Sequence, residues 1–366
     1  MSLPKLRIGD IEAKIPIIQG GMGVGISLSG LASAVAKEGA IGVIAAAEIG
    51  MLDKKPTETI QEANKRALRE HIEKAKSQVP DGIIGVNIMV ALADFDDLLD
   101  VSIDAGADLV IMGAGLPLIS NKNLAYKLIE SKTKIVPIVS SSKASTLIFK
   151  YWDKHYKNIP DAVVVEGPLA GGHLGFKREE LDKEENKLEN IVPKIIESLK
   201  PFEDKYSKHI PVIAAGGIFT GEDIYKFINE IGADGVQMAT RFVATHECDA
   251  DEKFKEAYIN AKKEDIIIID SPVGLPGRVV RNKFLDDVAK GLTKPFTCGW
   301  QCLKGCDYKK APYCIAAALA NAQRGNLDRG FAFAGVNAYR IDKIVSVKEL
   351  IQELIEGYKK AEGSAK

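Results

Sequence analysis

Eight short, apolar, β-branched runs lie within the first 242 residues, and longer amphipathic segments separate most of them. The runs are Ile15–Met22 (IPIIQGGM), Ile41–Ala47, Ile83–Val90 and Asp108–Gly113, then Ile135–Ser140, Ala162–Gly167, Pro211–Gly217 and Gly235–Phe242. Strands that are apolar along their whole length are buried on both faces, as in a parallel sheet. Between them Leu28–Lys37, Thr57–Gln78 and Gly221–Ile231 read as helices. Eight strands alternating with helices predict an α/β chain, a TIM (β/α)8 barrel. A doubly wound open sheet would use fewer strands and reverse its order, and periodicity alone leaves it open.

At 366 residues the chain is long for a barrel of about 250, so further elements are expected. Leu3–Ile15 reads as a hairpin with Gly9-Asp10 near its turn, placed to plug the bottom of the barrel. Phe176–Asn190 is a charged insertion that reads as a solvated loop or helix start. The tail after about residue 265 carries Gly/Pro-rich turns, a cysteine cluster and an amphipathic helix over Val347–Tyr358. The expected division is a cofactor-binding barrel with its hairpin over 1–282 and a C-terminal extension over 283–366, packed on the barrel.

The charge sum is 49 − 50 = −1, which supplies no bulk attraction to nucleic acid or anionic lipid. No apolar run reaches the roughly 18 residues needed to span a bilayer, and the N-terminus lacks the apolar core of a signal peptide. Five cysteines, an odd number, argue against a secreted disulfide framework. The expectation is a cytoplasmic chain with neither nucleic-acid nor membrane partners.

Glycines cluster behind the strands: Gly20-Gly21-Met22-Gly23, Gly113-Ala114-Gly115, Gly171-Gly172-His173 and Gly216-Gly217. In a barrel these are the C-terminal strand ends, where ligands bind. Glycine lets backbone approach a ligand closely and exposes N–H groups to anions. Gly216-Gly217 and Gln237-Met238-Ala239-Thr240 follow strands seven and eight, the usual phosphate site of the fold. The bland alternative is that each glycine merely ends a strand. No GxGxxG with a later acid marks a Rossmann site, and Gly20–Gly25 lacks the Lys-Ser/Thr of a P-loop.

The motifs IPIIQGGMG, GVNIMV, VEGPLAGGHLG, PVIAAGGI and VQMATRF, in that order, resemble the nitronate monooxygenase (2-nitropropane dioxygenase) family over roughly Ile15–Asn282. That family is similar to the flavin-dependent enoyl-acyl-carrier-protein reductases and to some NAD(P)H:quinone reductases. The resemblance implies an FMN-dependent TIM barrel. It places Gly21, Met22 and Asn87 against the flavin, with Glu166, Gly171 and Gly172 beside it. It places the FMN phosphate at Gly216, Gly217 and Gln237–Thr240, including Met238. Two departures stand out. Glu166 replaces a frequent glutamine, as in the reductase relatives, and Ala239 replaces a usual glycine before Thr240.

His173 matches the family's active-site histidine. An imidazole exchanges protons near neutral pH, which suits catalysis, although a lone histidine is often only structural. The activity implied is oxidation of a nitronate by FMN and O2, giving a carbonyl compound and nitrite. The alternative is NAD(P)H-driven reduction of an enoyl thioester or quinone, with His173 on the carbonyl oxygen. Expected partners are a small-molecule substrate and O2, with room for NAD(P)H and for a homodimer. Arg278 and Arg281 in SPVGLPGRVVRN are either phosphate anchors for the reductase reading or a solvated pair.

Cys298, Cys302, Cys306 and Cys314 have the spacing C-x3-C-x3-C-x7-C. Four thiolates in a short loop suit Zn²⁺ or an iron–sulfur cluster; free packed thiols or a redox disulfide fit as well. Lys304, Lys309 and Lys310 nearby offer positive charge that would stabilise thiolates. Nitronate monooxygenases do not need such a cluster, so here the chain exceeds the family pattern. Cys248 is isolated and reads as structural.

Overall fold

A computed structural model describes residues 3–365. The chain opens with a hairpin of β1 (Leu6–Ile8) and β2 (Ile11–Ala13), turning at Gly9-Asp10. Eight parallel strands then close a barrel, one from each apolar run. They are β3 (Ile17–Gln19), β4 (Ile41–Ala45), β5 (Ile83–Met89), β6 (Leu109–Gly113), β7 (Lys134–Val139) and β8 (Val163–Glu166). After the two-residue strand β9 (Gly172–His173) come β10 (Val212–Ala215) and β11 (Gly235–Met238). β11 pairs with β3, with Gln237 opposite Ile18, and this pairing closes the ring. The open-sheet alternative is excluded.

The lumen is filled by Ile18, Val43, Leu109, Ile111, Val136, Val164 and Ile213. Leu6, Ile8 and Ala13 belong to the same cluster, so the hairpin seals the barrel's N-terminal end. The glycine-rich turns that follow the strands lie at the opposite, C-terminal end. Outside the strands pack α1 (Ser29–Lys37), α2 (Ile60–Gln78), α3 (Phe95–Asp104), α4 (Lys122–Glu130), α5 (Ser142–Tyr156) and α6 (Leu188–Tyr206). α7 (Gly221–Tyr225) continues into a wider π-turn over Lys226–Glu230, and α8 (Thr240–Val243) follows β11. The eighth apolar run is therefore strand only to Met238. The charged insertion holds two short 3-10 turns before α6 begins at Leu188.

After α9 (Glu252–Ile259), the chain forms β12 (Ile266–Asp270) and β13 (Pro276–Val280), an antiparallel pair. The sequence reading saw only turns here, although Ile266–Ile269 is a β-branched run. β13 also pairs with β9, setting Gly277 opposite His173. α10 (Lys283–Ala289), α11 (Ile315–Gln323) and α12 (Val347–Ser364) complete the chain. No helix among the described residues is long and apolar enough to cross a membrane.

One long-range contact secures the first βα unit. Helix α1 has no side-chain cap from Leu28, its own N-cap residue. Asp249 supplies acceptors instead, taking N–H bonds from Leu28 (2.8 Å), Gly30 (3.2 Å) and Leu31 (3.1 Å). Removing it would take the acceptor from three partly buried donors, each bond worth about 1 kcal/mol. Asp249→Ala should therefore lower unfolding free energy by about 3 kcal/mol in urea, and Asp249→Asn, which keeps one acceptor, by less. Equal losses for both would mean that something other than these bonds holds the helix.

Candidate active site

The mouth of the barrel is built by close backbone approach. A Cβ at Gly21 would lie 2.4 Å from the Asn87 Cβ, so the turn after β3 rests directly on β5. A Cβ at Gly20 would lie 3.2 Å from the Ala239 Cβ, so the same turn also touches the end of β11. Met22, half-buried, takes a 2.9 Å bond from its N–H to Ser27 Oγ. The Asn87 amide donates to Ile111 O at 3.2 Å, which holds it in the lumen wall. Gly20, Gly21, Asn87, Gln237 and Ala239 thus form one contiguous floor, and Met238 O accepts from Gly20 N.

Gly216 and Gly217 both have left-handed backbone, at φ +99° and +87°. A side chain would be strained there. The Asn337 amide donates to Gly217 O at 2.7 Å, and Gly335 N donates to Thr240 Oγ1 at 3.0 Å. A Cβ at Gly171 would lie 2.5 Å from Ala334 C and Gly335 N. The segment 334–337 therefore returns from the tail onto the strand ends. The sequence reading missed it because nothing local in AGVN marks such a return. Gln237 Oε1 is buried without a hydrogen-bond partner. Burial pushes the Glu166 carboxyl at the end of β8 up to about 7.

His173 stands on β9, in the small sheet with β13 and β12. Its Nε2 shares a 2.7 Å hydrogen bond with Ser271 Oγ, in the turn between β12 and β13. Its ring meets Phe333 edge-on at 4.9 Å between centroids. Desolvation pushes its pKa down to about 4, so the imidazole is neutral at neutral pH. Arg278 is buried and donates to Pro168 O (2.7 Å) and Ala170 O (2.5 Å). It pins β13 to the loop after β8. Arg281 pairs with Asp286 at 2.8 Å. Arg278 is thus engaged within the chain and is neither a free phosphate anchor nor solvated, whereas Arg281 is exposed on the surface. Ser271 and Phe333 were not singled out from sequence, because only the fold brings them to His173.

The four clustered cysteines line one cavity of about 220 Å³, and all five cysteines are free thiols. The disulfide alternative is therefore corrected. Among the described residues, no group of three or more His, Cys, Asp or Glu is arranged to hold a metal ion, so a single zinc has no preformed site. Nor do lysines stabilise thiolates. Lys304 Nζ turns to Val90 O and the Phe95 ring, and Lys310 pairs with Asp307. Burial instead pushes the Cys302 thiol up to about 12, with Glu48 and the other three cysteines adding to the rise. Glu48, 4% exposed and in left-handed backbone (φ +52°), has an unpartnered Oε2. Burial, with the Asp94 charge, pushes it up to about 7.

Barrel, glycine-lined mouth and roofed histidine define an α/β-barrel oxidoreductase with its chemistry at the C-terminal strand ends. The chain matches the family model described as nitronate monooxygenase over residues 5–357, and it belongs to that family. It is 25% identical over 312 residues to a probable nitronate monooxygenase of Staphylococcus saprophyticus, covering 78% of this chain and 81% of that one. It is 28% identical over 276 residues to a Mycobacterium tuberculosis protein named (3aS,4S,5R,7aS)-5-hydroxy-7a-methyl-1-oxo-octahydro-1H-indene-4-carboxyl-CoA dehydrogenase. That match covers 75% of this chain and 66% of the relative, so the chain spans about two thirds of that protein. FabK of Thermotoga maritima has a TM-score of 0.74 at 28% identity, covering 96% of this chain and 95% of that one. Nitroalkane oxidase of Streptomyces ansochromogenes shares the fold, with a TM-score of 0.72 at 20% identity over 97% and 98% of the two chains.

The electrostatics of His173 can be read directly. In flavin-free protein its imidazole should titrate near pH 4 by ¹⁵N NMR. The unfolded chain binds that proton more readily between about 4 and 6.5, so this group's contribution to stability rises with pH across that window. Titration near 6.5 would mean that the roof does not desolvate the ring.

Proposed function

We propose that the chain is an FMN-dependent oxidoreductase that oxidises an alkyl nitronate with O2 to a carbonyl compound and nitrite. The observation that carries this reading is the neutral, roofed His173 hydrogen-bonded to Ser271 beside the glycine-lined mouth. Gly216, Gly217, Ala239 and Thr240 would hold the FMN phosphate. Gly21, Met22, Asn87, Glu166, Gly171, Gly172, Gln237 and Met238 would surround the rest of the cofactor. The residues fit such a group: the orphaned Gln237 Oε1 is a buried acceptor, and a flavin ring carries an N–H donor. When bound, FMN supplies the electron-accepting chemistry.

The protein's own part is binding and orientation. A group with a pKa near 4 is a weak base toward a neutral nitroalkane, whose carbon acid is far weaker. His173 and Ser271 instead suit a substrate that arrives already ionised, since they can hydrogen-bond its nitro oxygens. The β9–β13–β12 sheet and Phe333 exclude water around them, which strengthens those bonds.

A second reading is NAD(P)H-dependent reduction of an enoyl thioester or quinone, with His173 on the carbonyl oxygen. It is favoured by the likeness to FabK along nearly the whole chain and by the CoA ester in the name of the mycobacterial relative. Against it, Arg278 is buried and spends its guanidinium on Pro168 O and Ala170 O, so it is not free to anchor a phosphate.

Oxygen uptake by FMN-loaded protein separates the two. A preformed nitronate without NAD(P)H should consume O2 and release nitrite. No uptake, together with NAD(P)H oxidation that depends on an enoyl thioester, would replace the first reading with the second. His173→Ala should lower kcat/KM for the nitronate by about 10²-fold, as for loss of one polarising donor, with FMN content unchanged. Gly217→Val, strained at φ +87° with its Cβ 3.0 Å from Leu169, should cost bound FMN instead. Normal flavin content in that variant would move the phosphate elsewhere.

A further inference from the structure

The cysteine loop is held in place by backbone bonds that need no metal. Ala93 N donates to Cys302 O at 2.9 Å and Lys304 N to Ala91 O at 3.0 Å. These bonds clamp the loop onto the connection between β5 and α3, at the C-terminal face of the barrel. Gln301 N donates to Cys298 Sγ at 3.4 Å, and Cys314 is the N-cap residue of α11. The four cysteines, drawn from 17 residues of sequence, all face one cavity of about 220 Å³. Phe296, Tyr308, Tyr313 and Leu303 form much of the remaining wall, and no charged side chain lines it.

The arrangement distinguishes between occupants. A single zinc needs four sulfurs within about 4 Å of one another, because Zn–S bonds are near 2.3 Å. No such convergence exists among the described residues. In a polynuclear cluster each thiolate binds a different iron, so the sulfurs stand apart around a body that fills the space between them. Here four cysteines line one cavity together with apolar and aromatic side chains, and a backbone N–H donates to Cys298 Sγ. Such hydrogen bonds and shells accompany buried clusters and tune them.

We propose that Cys298, Cys302, Cys306 and Cys314 bind a four-iron, four-sulfide cluster in this cavity. The site adjoins the candidate active site. Pro272 and Val273, in the cavity wall, directly follow Ser271, the hydrogen-bond partner of His173. A one-electron carrier would therefore lie against the turn that holds the active-site pair. The proposal does not rest on the nitronate reading, because metal content is measured without turnover.

The test uses the full-length protein purified without oxygen, then treated with ferrous iron and sulfide under reducing conditions. About four iron and four acid-labile sulfide per chain are expected, with a visible absorbance that dithionite bleaches. Cys302→Ser and Cys306→Ser should each lose at least half of the iron and sulfide. Flavin content and the thermal melt should stay near those of the parent, and Cys248→Ala, outside the cavity, should keep its iron. If Cys302→Ser fails to fold, the more peripheral Cys306→Ser decides. Zinc without sulfide, no iron after reconstitution, or full iron in a folded serine variant would each overturn the proposal.

Discussion

The close approach of the turn after β3 to its neighbouring strands is the constraint on which the site depends. The ring closes where β11 pairs with β3, and there Gly20 and Gly21 sit against Ala239 and Asn87. A side chain at Gly21 would meet Asn87 at 2.4 Å and force the strand ends apart. The hairpin seals the other end, so the glycine-rich turns lie on the face opposite it. Packing and chemistry are separated along the strand axis: branched aliphatic side chains fill the lumen, and glycines and amides face the ligand end.

The second half of the site comes from late in the chain. β12 and β13 fold back over the mouth, and Arg278 fastens them through two carbonyls of the loop after β8. That cation has no carboxylate within ion-pair distance among the described residues. Its desolvation is offset by two short charge-assisted bonds. The roof sets the protonation state of His173: Phe333 and the small sheet remove water, and the imidazole stays neutral. A neutral ring paired with a serine hydroxyl orients an anion better than it strips a proton from carbon.

The eight strands were legible because parallel strands buried on both faces are written as continuous apolar runs of the right length. Their glycine punctuation marked the ligand end for the same reason. Three features were not legible. Ile266–Ile269 is a clear β-branched run, but its partner β13 is broken by Pro276 and Gly277, and β9 on the far side of β13 is only two residues long and carries no strand signal of its own. Ser271, Phe333 and Asn337 lie far from His173 and Gly217 in sequence, and only the folded tail brings them close. The lysines beside the cysteines suggested activated thiols, yet Lys304 and Lys310 bond elsewhere and burial raises the Cys302 thiol. Sequence proximity of charge is a poor guide where side chains are long.

The central claim is that the strand ends of β10 and β11 and the orphaned amide of Gln237 together form a flavin mononucleotide site beneath His173. An electron-density map of crystals grown with FMN tests it most directly. The account expects phosphate density at the Gly217 and Thr240 backbone N–H groups, a ring donor on Gln237 Oε1, and the ring facing His173. Flavin density elsewhere on the molecule, or a mouth in which Gln237 Oε1 stays unpartnered beside bound flavin, would contradict it.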